Sequence, residues 1–319
     1  MKYNYLIKNK LRLKLSSQKL NEQIDVVYCI DNNYSLAAGV SIHSLMKNNK
    51  DINISIHLFV LSLSEVNRTK FFDAISTNDH VSLTIYYIND EININKNNKT
   101  KLPLSASLRI ITPEILKEEC ATIIYIDSDT LITKNLIDLL HINSFENTII
   151  SAVVDIESEK HAKRLVFPTR KYFNSGVMVI NTKKWCDSNI TKKALELLSD
   201  KNFLIPDQDV LNILLYNNIH YISCKYNVQF ELSNYEKDGD VLNTESLIIH
   251  YLGVDKPWFR LFMTERYKKE LEQTPWCKDK LKLVPNISRI RVYSKRIKNF
   301  SKIKSIKLLL LYFLCKIMV

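Results

Sequence analysis

A chain of 319 residues with 46% apolar content can bury a sizeable core, which excludes a disordered polymer and leaves one large α/β domain or two ordinary ones. Its net charge of +11 gathers toward the two ends and would suit phosphorylated ligands, an anionic membrane or nucleic acid. Six scattered cysteines without a Cys-x-x-Cys pair argue against a zinc site or a disulfide framework and read as reduced, cytosolic thiols.

Residues 1–23 are basic with Leu and Ile interspersed and have no continuous apolar stretch of the kind a cleaved signal needs. They are expected to form a poorly packed arm or a surface helix. From Ile24 an apolar strand runs to a polar turn at Asp31, and a helical pattern follows from Leu36 to about Lys47. Residues 52–61 predict a second strand, Ser64 and Glu65 open a helix through Phe71 and Phe72, and residues 81–88 predict a third strand. An Asn- and Lys-rich loop near residues 93–100 leads to a helical segment, residues 105–119, that carries Arg109.

Next comes IIYIDSDTLI, residues 123–132, an apolar β-branched run that stops at two carboxylates, Asp127 and Asp129. In alternating α/β chains such strands carry ligands at their carboxyl ends. Two acids this close repel unless a cation lies between them, so the pair asks for a hard divalent metal, Mg²⁺ or Mn²⁺, of the kind that faces phosphate. The plain alternative is a turn and helix cap, since Asp favours both.

Residues 148–156 predict a further strand, followed by a looser basic loop through Lys171. YFNSGVMVIN, residues 172–181, reads as a polar turn before a strand, and the KKW after it opens a helix to Leu198. PDQDVLNILLYN, residues 206–217, has Pro at a helix start with three polar groups in its first turn. LIIHYLGVDKPW, residues 247–258, reads as a strand ending at His250 and a glycine turn with Lys256. From about Lys278 a run of Lys and Arg precedes LLLLYFLCKIMV, which is shorter than the roughly 20 residues a bilayer span needs. Basic residues beside such a segment read as an anchor on anionic lipid, with a packed terminal helix as the alternative. The alternation of strand and helix predicts an α/β fold with a mostly parallel, twisted central sheet and helices on both faces.

In order and in register, VVYCIDNNYSLAAGVSIHSL, IYIDSDTLI, YFNSGVMVIN, PDQDVLN and HYLGVDKPW resemble glycosyltransferase family 8, within it the bacterial lipopolysaccharide core glucosyl- and galactosyltransferases. The resemblance implies a GT-A nucleotide-sugar-binding sandwich over residues 24–277, between the arm (1–23) and a membrane-associating tail (278–319). The implied reaction is transfer of glucose or galactose from a UDP-sugar with retention, and the acceptor is lipid-linked oligosaccharide at the inner face of the cytoplasmic membrane. By the resemblance Asp127, Asp129 and His250 hold Mn²⁺, or Mg²⁺. Asp31, Asn33 and Tyr34 take the uracil, Asp127 also lies near the ribose, Ser128 is among the nucleotide-sugar-binding residues, and Arg109 lies near nucleotide and sugar. Gly253 and Lys256 meet the diphosphate, Asn174 and Asp155 the donor sugar, and Asp207 and Gln208 the reacting centre. Since an amide is a poor nucleophile, a front-side displacement is expected, with Gln208 stabilising positive charge on the ring.

Each position also has a plain structural role to fill: His250 as a core histidine, Asp207 as a helix cap, Lys256 as a solvated turn residue. Asp-x-Asp-Thr-Leu after an apolar strand also fits a haloacid-dehalogenase-like phosphatase, although that motif normally opens its domain. A non-enzymatic basic protein on membranes is the third reading. Nucleic acid is not expected as a partner, because the charge lies beside apolar runs rather than among stacking aromatics.

Overall fold

Runs of β-branched and aromatic residues pack well on a pleated surface, and here they become strands. The structure is a computed structural model and describes residues 3–14, 20–89, 107–142, 148–232, 245–283 and 310. Its strands are β1 (Ile7–Lys14), β2 (Gln23–Ile30), β3 (Asn53–Val60), β4 (Val81–Ile88), β5 (Thr122–Ile126), β6 (Thr130–Ile132), β7 (Ile150–Val154), β8 (Phe173–Asn181), β9 (Ile219–Tyr221), β10 (Val228–Phe230) and β11 (Ile248–Tyr251). Its helices are α1 (Ser35–Asn48), α2 (Glu65–Ile75), α3 (Thr112–Leu116), α4 (Ile137–Leu140), α5 (Ser158–Arg164), α6 (Thr182–Asp187), α7 (Ile190–Asp200), α8 (Pro206–Leu215) and α9 (Glu265–Leu271).

One sheet runs in the order β1-β4-β3-β2-β5-β8-β7-β9, and β10-β11-β6 form a second. Strands β4, β3, β2 and β5 are mutually parallel, which is the predicted heart of the sheet, and β8 then runs antiparallel between β5 and β7. Alternation along β2 explains the layering. Ile24, Val26, Tyr28 and Ile30 meet Val40, Leu45 and Phe71 of α1 and α2 together with Leu131 and Ile249 of the second sheet. Val27 and Cys29 point the other way, into a layer with Trp185, Leu198 and Leu211 of α6, α7 and α8. Helix α1 lies close under the C-terminal part of the domain. A Cβ on its Gly39 would come within 2.2 Å of the Trp276 ring, and Trp276 Nε1 donates to Asn67 Oδ1 of α2 at 3.0 Å.

The structure departs from the sequence expectations in several places. Residues 7–14, expected as part of an arm or surface helix, form the edge strand β1, antiparallel to β4. Ile7, Leu11 and Leu13 alternate with Lys8, Arg12 and Lys14, a period of two that the basic composition masks. The loop expected before Lys171 contains α5, which is tied down by Arg164 donating to the fully buried Asp209 at 2.6 and 2.9 Å. Asn174, Ser175 and Gly176 lie inside β8 rather than in a turn before it, and side chains satisfy their polar groups. Within residues 105–119, the described part is a short 3-10 turn, Leu108–Ile110, followed by α3. The helix expected up to Leu198 is two helices, broken at Asn189 with φ +53°.

The tail expected from Lys278 stays attached to the domain through Leu283. Asp279 pairs with Lys70, and the amides of Arg260 and Leu261 donate to the carbonyls of Lys282 and Leu283. Apart from Leu310, the rest of that tail lies outside the described residues, as does the loop near residues 93–100.

Candidate active site

Strand β5 ends at Ile126, and Asp127, Ser128 and Asp129 turn the chain across from the large sheet into β6 of the small one. The seam is stitched from both sides: Asp127 N donates to Gly176 O of β8 at 2.8 Å, and Tyr251 N of β11 donates to Asp129 O at 2.9 Å. Thr130 Oγ1 closes the turn on Asp127 O at 2.8 Å and is itself held by Ser41 of α1. Both carboxylates therefore stand at the carboxyl end of the parallel strands, where an α/β sheet opens a ligand crevice.

His250 of β11 completes the cluster. Its Nε2 lies 3.3 Å from Asp129 Oδ1 and 3.8 Å from Asp127 Oδ2, and one donor atom from each residue falls within 4.8 Å of the others. Asn227 Oδ1 accepts from His250 Nδ1 at 3.0 Å, which places the ring proton there and turns the Nε2 lone pair toward the acids. Crowding shows how closely these parts are set. A Cβ on Gly176 would lie 2.2 Å from His250 Cε1 and 2.8 Å from Asp127 Oδ2. Two carboxylates and an oriented imidazole are a donor set that fits Mn²⁺ or Mg²⁺.

Two buried cations balance the acids. Lys256 Nζ donates to Asp129 Oδ2 and to Tyr251 O, both at 2.5 Å. Arg109 Nη2 donates to Asp127 Oδ1 at 2.8 Å, its Nε lies 3.0 Å from Asp207 Oδ2, and its guanidinium sits 4.6 Å over the Tyr125 ring. Burial raises the Asp127 carboxyl above the usual range, more than Arg109 lowers it, and Asp129 adds to the rise. Burial also opposes ionisation of Asp129, but Lys256, whose ammonium donates to it, outweighs burial and holds that carboxyl far below the usual range.

A polar ladder runs on from His250 into the sheet. Asn227 Nδ2 donates to Asn174 Oδ1 at 2.9 Å, Asn174 Nδ2 to Asp155 Oδ2 at 3.0 Å, and Gln208 Nε2 to the same Asp155 oxygen at 3.1 Å. Gln208 Oε1 accepts from Ser175 N at 2.9 Å and from Ser175 Oγ at 3.2 Å. Arg109 Nη1 donates to Ser175 O and Oγ at 3.0 and 2.9 Å, closing the circuit. A hydrogen-bonded network thus links Arg109, Asp127, Asp129, Asp155, Asn174, Asp207, Gln208, His250 and Lys256, drawn from both sheets and from α8.

Residues 25–261 match the sequence profile of Glycosyl transferase family 8. The chain belongs to glycosyltransferase family 8. A lipopolysaccharide 1,2-glucosyltransferase of Escherichia coli is 31% identical over 83% of this chain and 82% of its own length. A lipopolysaccharide 1,3-galactosyltransferase of Salmonella typhimurium is 30% identical over 74% of this chain and 73% of its own. The galactosyltransferase LgtC, solved with donor and acceptor sugar analogues, superposes with a TM-score of 0.65 at 22% identity, covering 79% of this chain and 96% of LgtC. The GT-A-type α/β fold is thereby shared.

Within this family 8 domain the remaining expected residues sit at the rim. Tyr34 belongs to the same electrostatic environment: burial, and then Asp129, Asp31 and Asp127, push its hydroxyl up to about 12. Its ring meets Trp258 edge-on at 5.6 Å, so residues 31–34 and the Lys256 turn face one another. Asp31 is occupied as a cap, accepting from Asn33 N and Tyr34 N at 2.8 and 3.2 Å, while the Asn33 side is exposed. Gly253 has φ +73°, and a Cβ there would make only an ordinary contact with Glu231 Oε1 at 3.9 Å, so the turn's left-handed backbone is what requires glycine there. Ser128 is the buried middle residue of the turn.

Sequence reasoning missed Asn227, Ser175 and Tyr125, whose hydroxyl donates to Asp127 Oδ1 at 2.6 Å. Tyr125 could have been found, since it lies two residues before Asp127 on the same strand face. Asn227 lies in a stretch with no periodicity, and nothing local marks it.

Proposed function

We propose that this family 8 protein moves a hexose, glucose or galactose, from a UDP-sugar to a saccharide of the lipopolysaccharide core, with retention at the anomeric carbon. The observation that carries the reading is the convergence of Asp127, Asp129 and His250 at the end of β5, with Lys256 beside them. A divalent cation, if held by these three residues, would supply charge neutralisation for a leaving diphosphate. The glucosyl- and galactosyltransferase names of the relatives support the choice of hexose and acceptor.

The chain's own residues divide the remaining work. Lys256, which Asp129 and a backbone carbonyl hold in a buried position, is placed to exchange the carboxylate for a diphosphate oxygen. Tyr34, with Asp31 fixing its loop, offers a ring to the base. Arg109 keeps Asp127 and Asp207 at fixed separation, so Asp207 can meet sugar hydroxyls without drifting toward the cation. Gln208 has both ends of its amide bonded and is buried, which supports a positioning and charge-stabilising role rather than nucleophilic attack. In the front-side displacement this favours, the departing phosphate oxygen takes the proton of the incoming hydroxyl. The phosphatase reading would need Asp127 free for in-line attack, whereas Arg109 donates to both its oxygens and Tyr125 donates to Oδ1.

Among the described residues no helix is long and apolar enough to cross a membrane. The proposed peripheral seat on the cytoplasmic face therefore rests on the basic sequence after Leu283. The deciding experiment incubates purified protein with UDP-glucose, UDP-galactose or UDP-N-acetylglucosamine, with and without Mn²⁺, and measures UDP release. Mn²⁺-dependent release from one of the first two, lost in Asp129→Asn, is expected; no release from any of the three removes the proposal.

A further inference from the structure

At the other end of the sheet, where the parallel strands begin, β2, β3 and the turn entering β5 bring Asp25, His57 and Cys120 together. His57 Nε2 lies 3.0 Å from Asp25 Oδ1 and 3.7 Å from Cys120 Sγ, and one donor atom from each residue falls within 4.8 Å of the others. His57 and Cys120 are buried and Asp25 is partly open, so the group has one side toward solvent.

The arrangement is not that of an activated thiol. A nucleophilic relay sets the acid on one ring nitrogen and the thiol on the other, so that a proton can pass through the imidazole. Here acid and thiol both face Nε2, while Nδ1 meets Tyr86 OH at 3.2 Å. With the Tyr86 oxygen accepting the Nδ1 proton, the Nε2 lone pair joins those of Asp25 and Cys120 at a single point. Tyr86 is itself backed by Lys10 of β1, 5.0 Å over its ring.

The geometry points to a second metal site, separate from the one at Asp127, that takes Zn²⁺ through a Cys-His-Asp set with water in the fourth position. Zinc–sulfur and zinc–nitrogen bonds of about 2.3 and 2.0 Å at a tetrahedral angle put the two donors about 3.5 Å apart, close to the spacing found here. The thiolate selects a softer ion than the carboxylate-rich set at Asp127, so Zn²⁺ is favoured at Cys120 and Mn²⁺ at the two carboxylates. Binding would release the Cys120 proton to solvent and tie β2, β3 and the entry to β5 together. The cysteine spacing in the sequence does not bear on this site, because its ligands are 32 and 63 residues apart.

The test is spectroscopic and uses the full chain, stripped with a chelator and titrated with Co²⁺. A thiolate-to-cobalt band in the near ultraviolet, four-coordinate visible bands and displacement by Zn²⁺ are expected, unchanged in Asp129→Asn. Cys120→Ser should abolish the ultraviolet band while far-ultraviolet circular dichroism and UDP release persist. Asp25→Asn, at the partly open position, keeps the thiolate and should weaken Zn²⁺ binding by about tenfold or more in competition with a chromogenic chelator. No thiolate band in the wild type, a band surviving in Cys120→Ser, or unaltered Zn²⁺ affinity in Asp25→Asn would each overturn the site.

Discussion

A single hydrogen on residue 176 decides whether His250 and Asp127 can stand where they do. Gly176→Ala would drive a methyl group into the imidazole, whose own position is fixed by Asn227 and by its strand. Mn²⁺ affinity, followed by electron paramagnetic resonance of the free ion, should fall on the order of 10- to 100-fold while the far-ultraviolet spectrum stays native. Asn227→Ala should produce a loss of similar size by a different route, since the His250 ring would lose the acceptor that sets its tautomer. An Asn227→Ala protein with native Mn²⁺ affinity would show that the ladder is ornamental to the metal. At this scale the sequence displayed the chemistry but not its support. Asp127, Asp129, His250 and Lys256 are residue types with few reasons to interrupt apolar strands. Asn227 and Ser175 are ordinary polar residues whose importance arises only from what folding sets beside them.

Between elements, the clearest polar contact is the clasp of α1 on α9. Glu270 Oε2 lies 3.0 Å from His43 Nδ1 and Oε1 accepts from Lys47 Nζ at 2.7 Å. Burial would raise the Glu270 carboxyl, but the hydrogen bonds from His43 and Lys47 outweigh it and hold it below its usual 4.5. A carboxyl depressed by folding stabilises the native state in full above its unfolded value, and the contribution disappears as pH falls through the folded one. Glu270→Gln should therefore lower the melting midpoint at neutral pH by about 2 °C, for a contribution of about 1 kcal/mol. The deficit should close as pH falls past the ordinary glutamate value and through the depressed folded one, where the wild-type carboxyl also becomes neutral. Calorimetry of both proteins across that range is the check. Elements were legible wherever one periodicity ruled, as in β2 to β4 and α1. They were hidden where composition argued otherwise, as in β1 under its lysines, or where a site put polar residues into a strand, as in β8.

For the molecule as a whole, charge separates the fold from the proposed attachment. Nine basic residues and no acidic one follow Leu283, which leaves only +2 of the net +11 to the preceding 283 residues. Removing residues 284–319 should shift the protein from the membrane fraction to the supernatant and leave UDP release near wild type; retention on membranes after truncation would place the attachment elsewhere. The cut belongs after Leu283 because the segment before it is held by Lys70 and by the amides of Arg260 and Leu261. The order of the large sheet has its own implication for biogenesis. Strand β1 is made before β4, its partner among the described residues, which follows some seventy residues later, so the nascent chain must carry a lysine-studded ribbon without that partner until β2, β3 and β4 exist. Its positive charges keep that waiting ribbon from pairing with copies of itself on neighbouring polysomes.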